Sequence, residues 1–496
     1  MLLPAPPTLP PYGRPTPEVE HTRLRLRLLD GHALDDVRAY ILSRVGPTRS
    51  AAWGIPSRSV CPLDDLASAV SVLYTHDPGL SHAVGAEGRA FVVDDVVERL
   101  RISGTWQAAA EAQRLTEALN ECALHYELDG GSILWRVVTP DLLEGLPQPG
   151  RPGEPALLRE WRPRDLNGEI RWCADEYDVR DPAAPSFRVV DEDGLDVTAQ
   201  TLGLPPSDGD APGSYSGAAY PWRYSPSPNY PEGRPFIPYS LRHAIAAPRR
   251  LFEPWRRVET VDATLEACAL ATMTSHVCTQ ASFPLTYAVA CRVAAEQITA
   301  SDGRVIARAP TLDPAVIHEL EATEPGVQPS IEVVRNETDP LMLLEVAERI
   351  TARCAQAWGL GPSDIQRTAA DSRSGVALAV SNEGRRRMQA SRAPIYQPHD
   401  ERMVGRICAL LNRAAVAGIT DRPESGWTVS YTLSPLSPQE RAQRQSEAAD
   451  LYDRGLITRA EMRAMILGES PAQAAAALAV VAAERLTPST SATTTP

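Results

Sequence analysis

The stretch from Asp339 to Gly418 constrains the fold more than any other part of the chain. Asp339-Pro340 opens a run in which Leu343, Val346, Ile350, Cys354 and Trp358 recur at helical spacing, which predicts a helix to about Leu360. A polar, loop-like link follows from Gly361 to Arg373. Ser374-Gly375-Val376-Ala377-Leu378 then starts a second long helical segment. Proline lacks a backbone donor and crowds the preceding turn, so this segment is expected to break near Pro394 before continuing to about Ala417. One helix, a polar loop and a broken long helix make an uncommon combination.

The flanking sequence supplies both helices and strands. Residues 1–20 read as a Pro-rich flexible arm. Amphipathic helices are expected over Ala33–Ser43, with Leu34, Val37 and Ile41 on one face, and after Pro62, where Leu63, Leu66, Ala69, Val70 and Leu73 share a face. A third spans about Trp106–Asn120 and is rich in good helix formers. The pattern then turns to strands. Cys122–Leu128 and Ile133–Thr139 flank Asp129-Gly130-Gly131-Ser132, a hairpin signal. Leu157–Trp161 and Glu169–Tyr177 flank Asn167-Gly168, and Ser186–Val190 adds a strand. Residues 203–235, dense in Pro, Gly, Ser and Tyr, read as a long irregular loop.

From Val258 to about Gln280 the chain reads as helix, with Val261, Leu265, Cys268, Thr272 and Val277 as an approximate stripe. Short strands are expected at Leu285–Val293 and Ser330–Val334, with a turn at Ser301-Asp302-Gly303. The picture is a helix pair, Val258–Gln280 and Leu341–Leu360, bearing a small α/β tip. Trp427–Thr432 reads as a strand. Three capped helices follow, starting at Ser437-Pro438-Gln439-Glu440, at Thr458 with Glu461, and at Ser470-Pro471. The Ser/Thr/Pro-rich tail Thr487–Pro496 reads as disordered.

Composition removes several function classes. The 49 basic residues are all Arg, with no Lys. A Walker A lysine, a lysine Schiff base and a kinase nucleotide lysine are therefore excluded. The net charge of −14 gives no electrostatic support for tight nucleic-acid binding. The eight cysteines are dispersed without C-x-x-C, and the nine histidines show no ligand spacing, so neither a metal nor another cofactor is expected. Asp191-Glu192-Asp193 and Asp208-Gly209-Asp210 lack the spacing of a calcium loop and read as turns. No G-x-S-x-G or H-E-x-x-H occurs, and no catalytic set emerges. Residues 1–17 lack a continuous apolar segment, and Ala267–Leu285 is too polar for a membrane span.

Taken in order, these elements resemble the portal proteins of tailed bacteriophages. Arg234-Pro235-Phe236-Ile237-Pro238-Tyr239, then Leu251-Phe252-Glu253-Pro254, is similar to the approach to that family's first stem helix. Asn336-Glu337-Thr338-Asp339-Pro340 is similar to the start of the returning stem helix. Ser374-Gly375-Val376-Ala377-Leu378 resembles the end of the tunnel loop and the start of the long kinked helix. Ser437–Leu467 is similar to a portal C-terminus, with Ile457-Thr458-Arg459-Ala460-Glu461 opening its second helix. The resemblance spans about residues 94–467 and rests on order and spacing. Residues 203–235 depart from it.

The resemblance implies an α+β fold: an elongated subunit with a mixed α/β wing, a two-helix stem, a small α/β clip and a helical crown. The wing would combine 21–257, strand-rich over 122–200, with 361–433, and the stem would be 258–283 and 338–360. The clip would be 284–337, the tunnel loop 361–374 and the crown 434–486. It implies a homo-oligomeric ring, usually of twelve subunits, at one capsid vertex of the virion, assembled in the host cytoplasm. Its implied partners are double-stranded DNA in the channel, the terminase large subunit, a head-completion or adaptor protein and the major capsid protein, with no membrane and no enzymatic activity.

Within that frame Gln366, Arg367, Thr368, Asp371, Ser372 and Arg373 are expected to line the channel constriction. Arg385, Arg386 and Arg387 form the densest basic run on a helix, read either as a solvated face or as a subunit contact. Three consecutive helical positions fan over about 200°, so they cannot all face one partner. Arg249, Arg250, Phe252, Trp255, Arg256 and Arg257 read as an Arg–aromatic cluster for capsid contact. Asp302, Asp313, Glu319, Glu321, Glu324 and Glu332 read as an acidic clip surface for docking a basic partner, or as a solvated face. Two alternatives stay open: another virion structural protein, such as a head–tail adaptor or minor capsid protein, and a soluble oligomeric enzyme whose site the sequence does not reveal.

Overall fold

The computed structural model describes residues 16–47, 61–82, 90–202, 215–253, 255, 257–282, 285–289, 291–293, 296–299, 305–308, 320–322, 330–334, 339–360, 375–432, 438–467, 474, 478–479 and 481. The fold is α+β, and among the described residues every strand ladder is antiparallel.

The first helix, α1 (Thr16–Leu29), begins inside the segment expected to be a flexible arm. Pro17 sits in the first turn, where its missing N–H costs nothing, and Glu18 favours the helix N-terminus. Val19, Thr22, Arg25 and Leu28 then recur every third residue and are all buried. Helices α2 (Leu34–Val45) and α3 (Pro62–Val70) match the expected faces, burying Val37, Ile41, Leu63, Leu66 and Val70. Strand β1 (Gly79–His82) and helix α4 (Ala90–Ile102) carry no clear sequence signal. Helix α5 (Thr105–Leu119) stops at Asn120, which adopts the left-handed conformation that Asn tolerates at a helix end.

Two sheets follow. Strands β2 (Glu121–Asp129) and β3 (Ser132–Val138) form the expected hairpin, with Asp129 opposite Ser132 across Gly130-Gly131. Strands β4 (Leu143–Gln148), β5 (Arg151–Leu166), β6 (Glu169–Asp178), β7 (Ser186–Asp191) and β8 (Tyr215–Ser216) form a five-stranded meander. Asn167 and Gly168 both have positive φ, the conformation a two-residue I′ turn needs, which sets Leu166 opposite Glu169. The short helix α6 (Thr198–Leu202) precedes β8. Strand β9 (Tyr239–His243) pairs with β2 and closes the three-stranded sheet β3-β2-β9.

The segment expected as a long irregular loop is largely irregular over residues 215–235 and packs through its aromatic side chains: Tyr220 is fully buried and donates to the Phe236 carbonyl at 3.0 Å. Trp222 meets Tyr177, Phe187 and Tyr220 edge-on. Residues 203–214 lie outside the described residues.

Helices α7 (Glu259–Ser282) and α8 (Pro340–Ala357) form the expected pair. Asp339 caps α8, its carboxylate accepting from the Leu341 amide at 2.9 Å. The pair is antiparallel. Trp358, just past the end of α8, donates from Nε1 to Thr260 Oγ1 near the start of α7 at 3.0 Å. The expected α/β tip between the helices is described only in part. Its described residues form three nested antiparallel ladders: β10 (Leu285–Val289) with β15 (Ser330–Val334), β11 (Cys291–Val293) with β14 (Leu320–Ala322), and β12 (Glu296–Thr299) with β13 (Val305–Arg308). The expected turn at 301–303 lies outside the described residues.

Helix α9 (Gly375–Arg413) corrects the expected break. It continues through both Pro394 and Pro398. The physical reason is anchorage: Gln389, Arg392, Tyr396 and Asp400 are all buried against the body, so tertiary contacts offset the hydrogen bonds that the prolines remove. Strand β16 (Trp427–Ser430) pairs with β1, nearly 350 residues earlier. Helices α10 (Pro438–Asp453) and α11 (Arg459–Leu467) follow. Thr458 and Glu461 make the expected reciprocal box: the Thr458 amide donates to Glu461 Oε2 at 2.7 Å, and the Glu461 amide to Thr458 Oγ1 at 3.2 Å. The third expected helix start, at Ser470, and the tail lie outside the described residues.

Candidate functional site

The structure distributes the sequence-predicted residues unevenly. Gln366, Arg367, Thr368, Asp371, Ser372 and Arg373 lie outside the described residues, as do Asp302, Asp313, Glu319, Glu324 and Arg256. Glu321 and Glu332 occupy β14 and β15, at register positions opposite Arg292 and Tyr287.

Two members of the Arg–aromatic cluster before α7 need correction as outward-facing residues. Phe252 and Trp255 are buried. Glu121 accepts from the Phe252 and Glu253 amides, both at 2.8 Å, and pulls this loop onto β2. Trp255 stands under the Arg25 guanidinium, 4.6 Å from the ring centre. Arg257 lies 4.2 Å over the Trp358 ring and reaches Glu117 at 3.4 Å. Arg250 donates to Glu18 of α1 at 2.9 Å, while the Arg249 side chain is exposed. Flanking arginines made the aromatics look like a surface; the acids that draw them inward are far away in sequence.

The arginine run on α9 fans out as helical geometry requires. Arg385, half-buried, turns toward its own body and donates to Thr75 at 2.9 Å. Arg386 is half-buried and Arg387 exposed.

Two buried charge clusters fasten α9. In one, Arg242 and Asp400 pair at 2.6 Å with both side chains fully buried. Tyr74 and Tyr431 each donate to the same carboxylate at 2.7 Å. Burial pushes both tyrosine hydroxyls well above their usual pKa, so they stay protonated donors. Burial opposes the Arg242 cation, but Asp400 beside it holds its pKa above the usual value. In the other cluster Glu117 meets Arg392 at 2.9 Å, Arg257 at 3.4 Å and the Tyr396 hydroxyl at 3.1 Å. Burial raises the Glu117 pKa against the pull of both arginines. The carboxylates and tyrosine hydroxyls of these clusters are bound to other parts of the chain. Their chemistry is fastening.

A cavity of about 240 Å³ lies between α1 and the loop before α7, lined in part by Glu18, His21, Arg25, Glu121, Phe252 and Trp255. Arg25 donates to the Ala118 carbonyl at 3.0 Å, and Glu18 and Glu121 are engaged as described. Among the described residues no group of three or more His, Cys, Asp and Glu side chains is placed to hold a metal, and no helix is long and apolar enough to cross a membrane. Seven described cysteines are free, and burial raises the pKa of Cys122, Cys268 and Cys408, keeping them thiols.

The sequence reading missed the outer surface of the α7–α8 pair. Leu343 is buried as expected, but Val346, placed on the same face, is 36% exposed. Leu341, Met342 and Leu344 are more exposed still, Leu341 at 67%. The signal was present in the sequence: the first two turns of α8 carry apolar residues all the way round, and a single partner helix covers only one side. No protein-family model matches the chain, and the search of curated proteins finds no match.

Proposed function

We propose that the chain is a tailed-bacteriophage portal protein. Copies form a ring at one capsid vertex through which double-stranded DNA is packaged and later ejected, and the ring docks the terminase motor and then the head-completion proteins. The observation that carries this reading is the order of elements: α7, a strand-built insert, α8, the link 361–374, the long helix α9 and then the helices α10 and α11. In this reading α7 and α8 are the stem, the nested ladders are the clip, and the link is the tunnel loop.

The charge balance fits a conduit. Each arginine–phosphate contact adds salt-dependent affinity and therefore friction, so a channel for moving DNA should offer few of them. An acidic subunit repeated around a ring supplies that environment. The buried clusters fit as well. A helix that bears on moving DNA needs a rigid mount, and α9 is held by two sets of desolvated ion pairs. The role is structural, with no reaction catalysed by the chain itself.

Gold labelling of this chain on intact particles tests the reading. One labelled vertex per particle is expected. Label at many vertices, or spread over the shell, would point instead to a minor capsid protein. For the loop, Arg367→Ala with Arg373→Ala is expected to impair packaging or retention of DNA; normal packaging would remove Arg367 and Arg373 from the channel role.

A further inference from the structure

The cavity of about 240 Å³ between α1 and the loop before α7 plays no part in the ring reading. Its walls are tied to one another. Thr22 donates to the Glu18 carbonyl at 2.9 Å, and Arg25 donates to Thr22 Oγ1 at 3.1 Å while lying over the Trp255 ring. Glu121 holds the Phe252 and Glu253 amides and stands 3.2 Å from His243. Walls bonded in this way do not close by rotating side chains, so the space is preformed. Two of the lining residues, Pro17 and Val258, are exposed and mark its mouth.

Size and chemistry suit an aromatic side chain. A cavity of about 150 Å³ already admits benzene. Phe252, Trp255, Pro17 and Pro140 supply the ring-and-proline lining that aromatic and proline-rich segments dock on. Glu18, Glu121 and Glu253 also line the cavity, against the single arginine Arg25. Burial, and then Arg25, lower the His21 pKa, so its imidazole is neutral and can accept from a phenol hydroxyl. Such a site favours a ring carried close to a positive charge.

The fifteen residues before α1 carry that combination: one aromatic, Tyr12, and one charge, Arg14, with no Asp or Glu. Tyr12 is five residues from Pro17, which itself lines the cavity, so the connecting chain spans at most about 18 Å. A tether this short gives an effective concentration in the millimolar range, and modest intrinsic affinity is then enough. Pro10, Pro11 and Pro15 restrict the segment beforehand and lower the entropy lost on docking. We propose that the cavity is a binding site for the Tyr12 side chain of the same chain, with Arg14 toward the carboxylates. Residues 1–15 thereby pin α1 to the loop that leads into α7. One copy suffices, so the inference stands or falls independently of the ring.

The test replaces Tyr12 of the full chain with photo-reactive p-benzoylphenylalanine and maps the cross-links by mass spectrometry. They are expected on residues 17–25, 119–121 and 252–258, in a product that runs at the mass of one chain on a denaturing gel. Cross-links scattered elsewhere overturn the inference. A product at twice that mass, with the same cross-links, places a neighbouring copy's segment in the cavity and overturns the same-chain assignment. A second measurement guards against a ring too bulky to enter. The free peptide of residues 1–15 is titrated to millimolar concentration by saturation-transfer NMR against the full chain, wild type and Tyr12→Ala, with circular dichroism confirming that each is folded. The peptide should bind Tyr12→Ala at least tenfold more tightly than wild type, whose own Tyr12 competes. It should lose that binding when Val258→Trp fills the mouth. Equal binding to the two chains, no binding to either, or binding that survives Val258→Trp overturns the inference.

Discussion

The body and the stem of this chain solve burial in opposite ways. In the body, charge is drawn inside and paired there. Arg242–Asp400 and Glu117–Arg392 are desolvated pairs, and Asp175 and Glu176 in β6 are buried against Arg162, Arg164, Arg159 and Arg188. In the stem, charge lies outside and apolar side chains lie beside it, with Leu341 and Met342 more than half exposed. Ion pairs buried in this way are already engaged within the chain. A two-helix stem with apolar residues round one helix is incomplete by itself. In the proposed ring this difference would put recognition in the stem and rigidity in the body.

The largest predicted effect breaks the body. Asp400→Ala leaves Arg242 charged and buried without its partner, which should cost about 3–5 kcal/mol of folding stability in a denaturant titration. A loss under about 1 kcal/mol would mean the cluster is not a fastening. The pH response of the body comes next. Burial, with Arg136 and Arg162 nearby, holds His125 well below its usual 6.5; burial, with His243 beside it, does the same for His399. Both are neutral when folded and take up a proton on unfolding. Their contribution is thus intact above about pH 6.5 and lost as pH falls toward the folded values. Glu121 raises the His243 pKa against burial, so its contribution runs the other way, present below 6.5 and lost as pH rises through the folded value. Wild-type Tm should fall from pH 7 to pH 5, and His125→Gln and His399→Gln should each flatten that fall.

Smaller effects sharpen the comparison outside the body. Thr458→Ala removes one half of the capping box and should cost about 1 kcal/mol, seen as faster amide exchange in α11 with the body unchanged. Leu341→Ser with Met342→Ser should change folding stability by no more than about 0.5 kcal/mol, because both side chains are already in water. The same variant should lower self-association. Loss of stability without loss of association would reverse the assignment of roles.

Much of the fold was legible wherever the signal was local. The Gly130-Gly131 and Asn167-Gly168 turns set their strand registers because few other residues accept positive φ at both positions. The Asp339 cap and the Thr458–Glu461 box mark helix starts through bonds made within four residues. What stayed hidden depends on distant partners. The start of α1 inside a proline-rich segment is fixed by a face that packs on α5. The continuity of α9 past two prolines is fixed by Gln389, Tyr396 and Asp400. The inward turn of Phe252 and Trp255 is fixed by Glu121 and Arg25. β1 lacks a hydrophobic alternation and is a strand because β16 is beside it. For the candidate site, the spacing of elements was readable, whereas the exposure of Leu341, Met342 and Leu344 emerged only once the α7–α8 pairing was known.

The central claim is that the stem is built for further copies of the same chain, arranged around a channel. Electron microscopy of the purified full-length protein tests it most directly. Rings of about twelve subunits with an axial opening are the predicted result, and monomers or compact dimers under assembly conditions would contradict it.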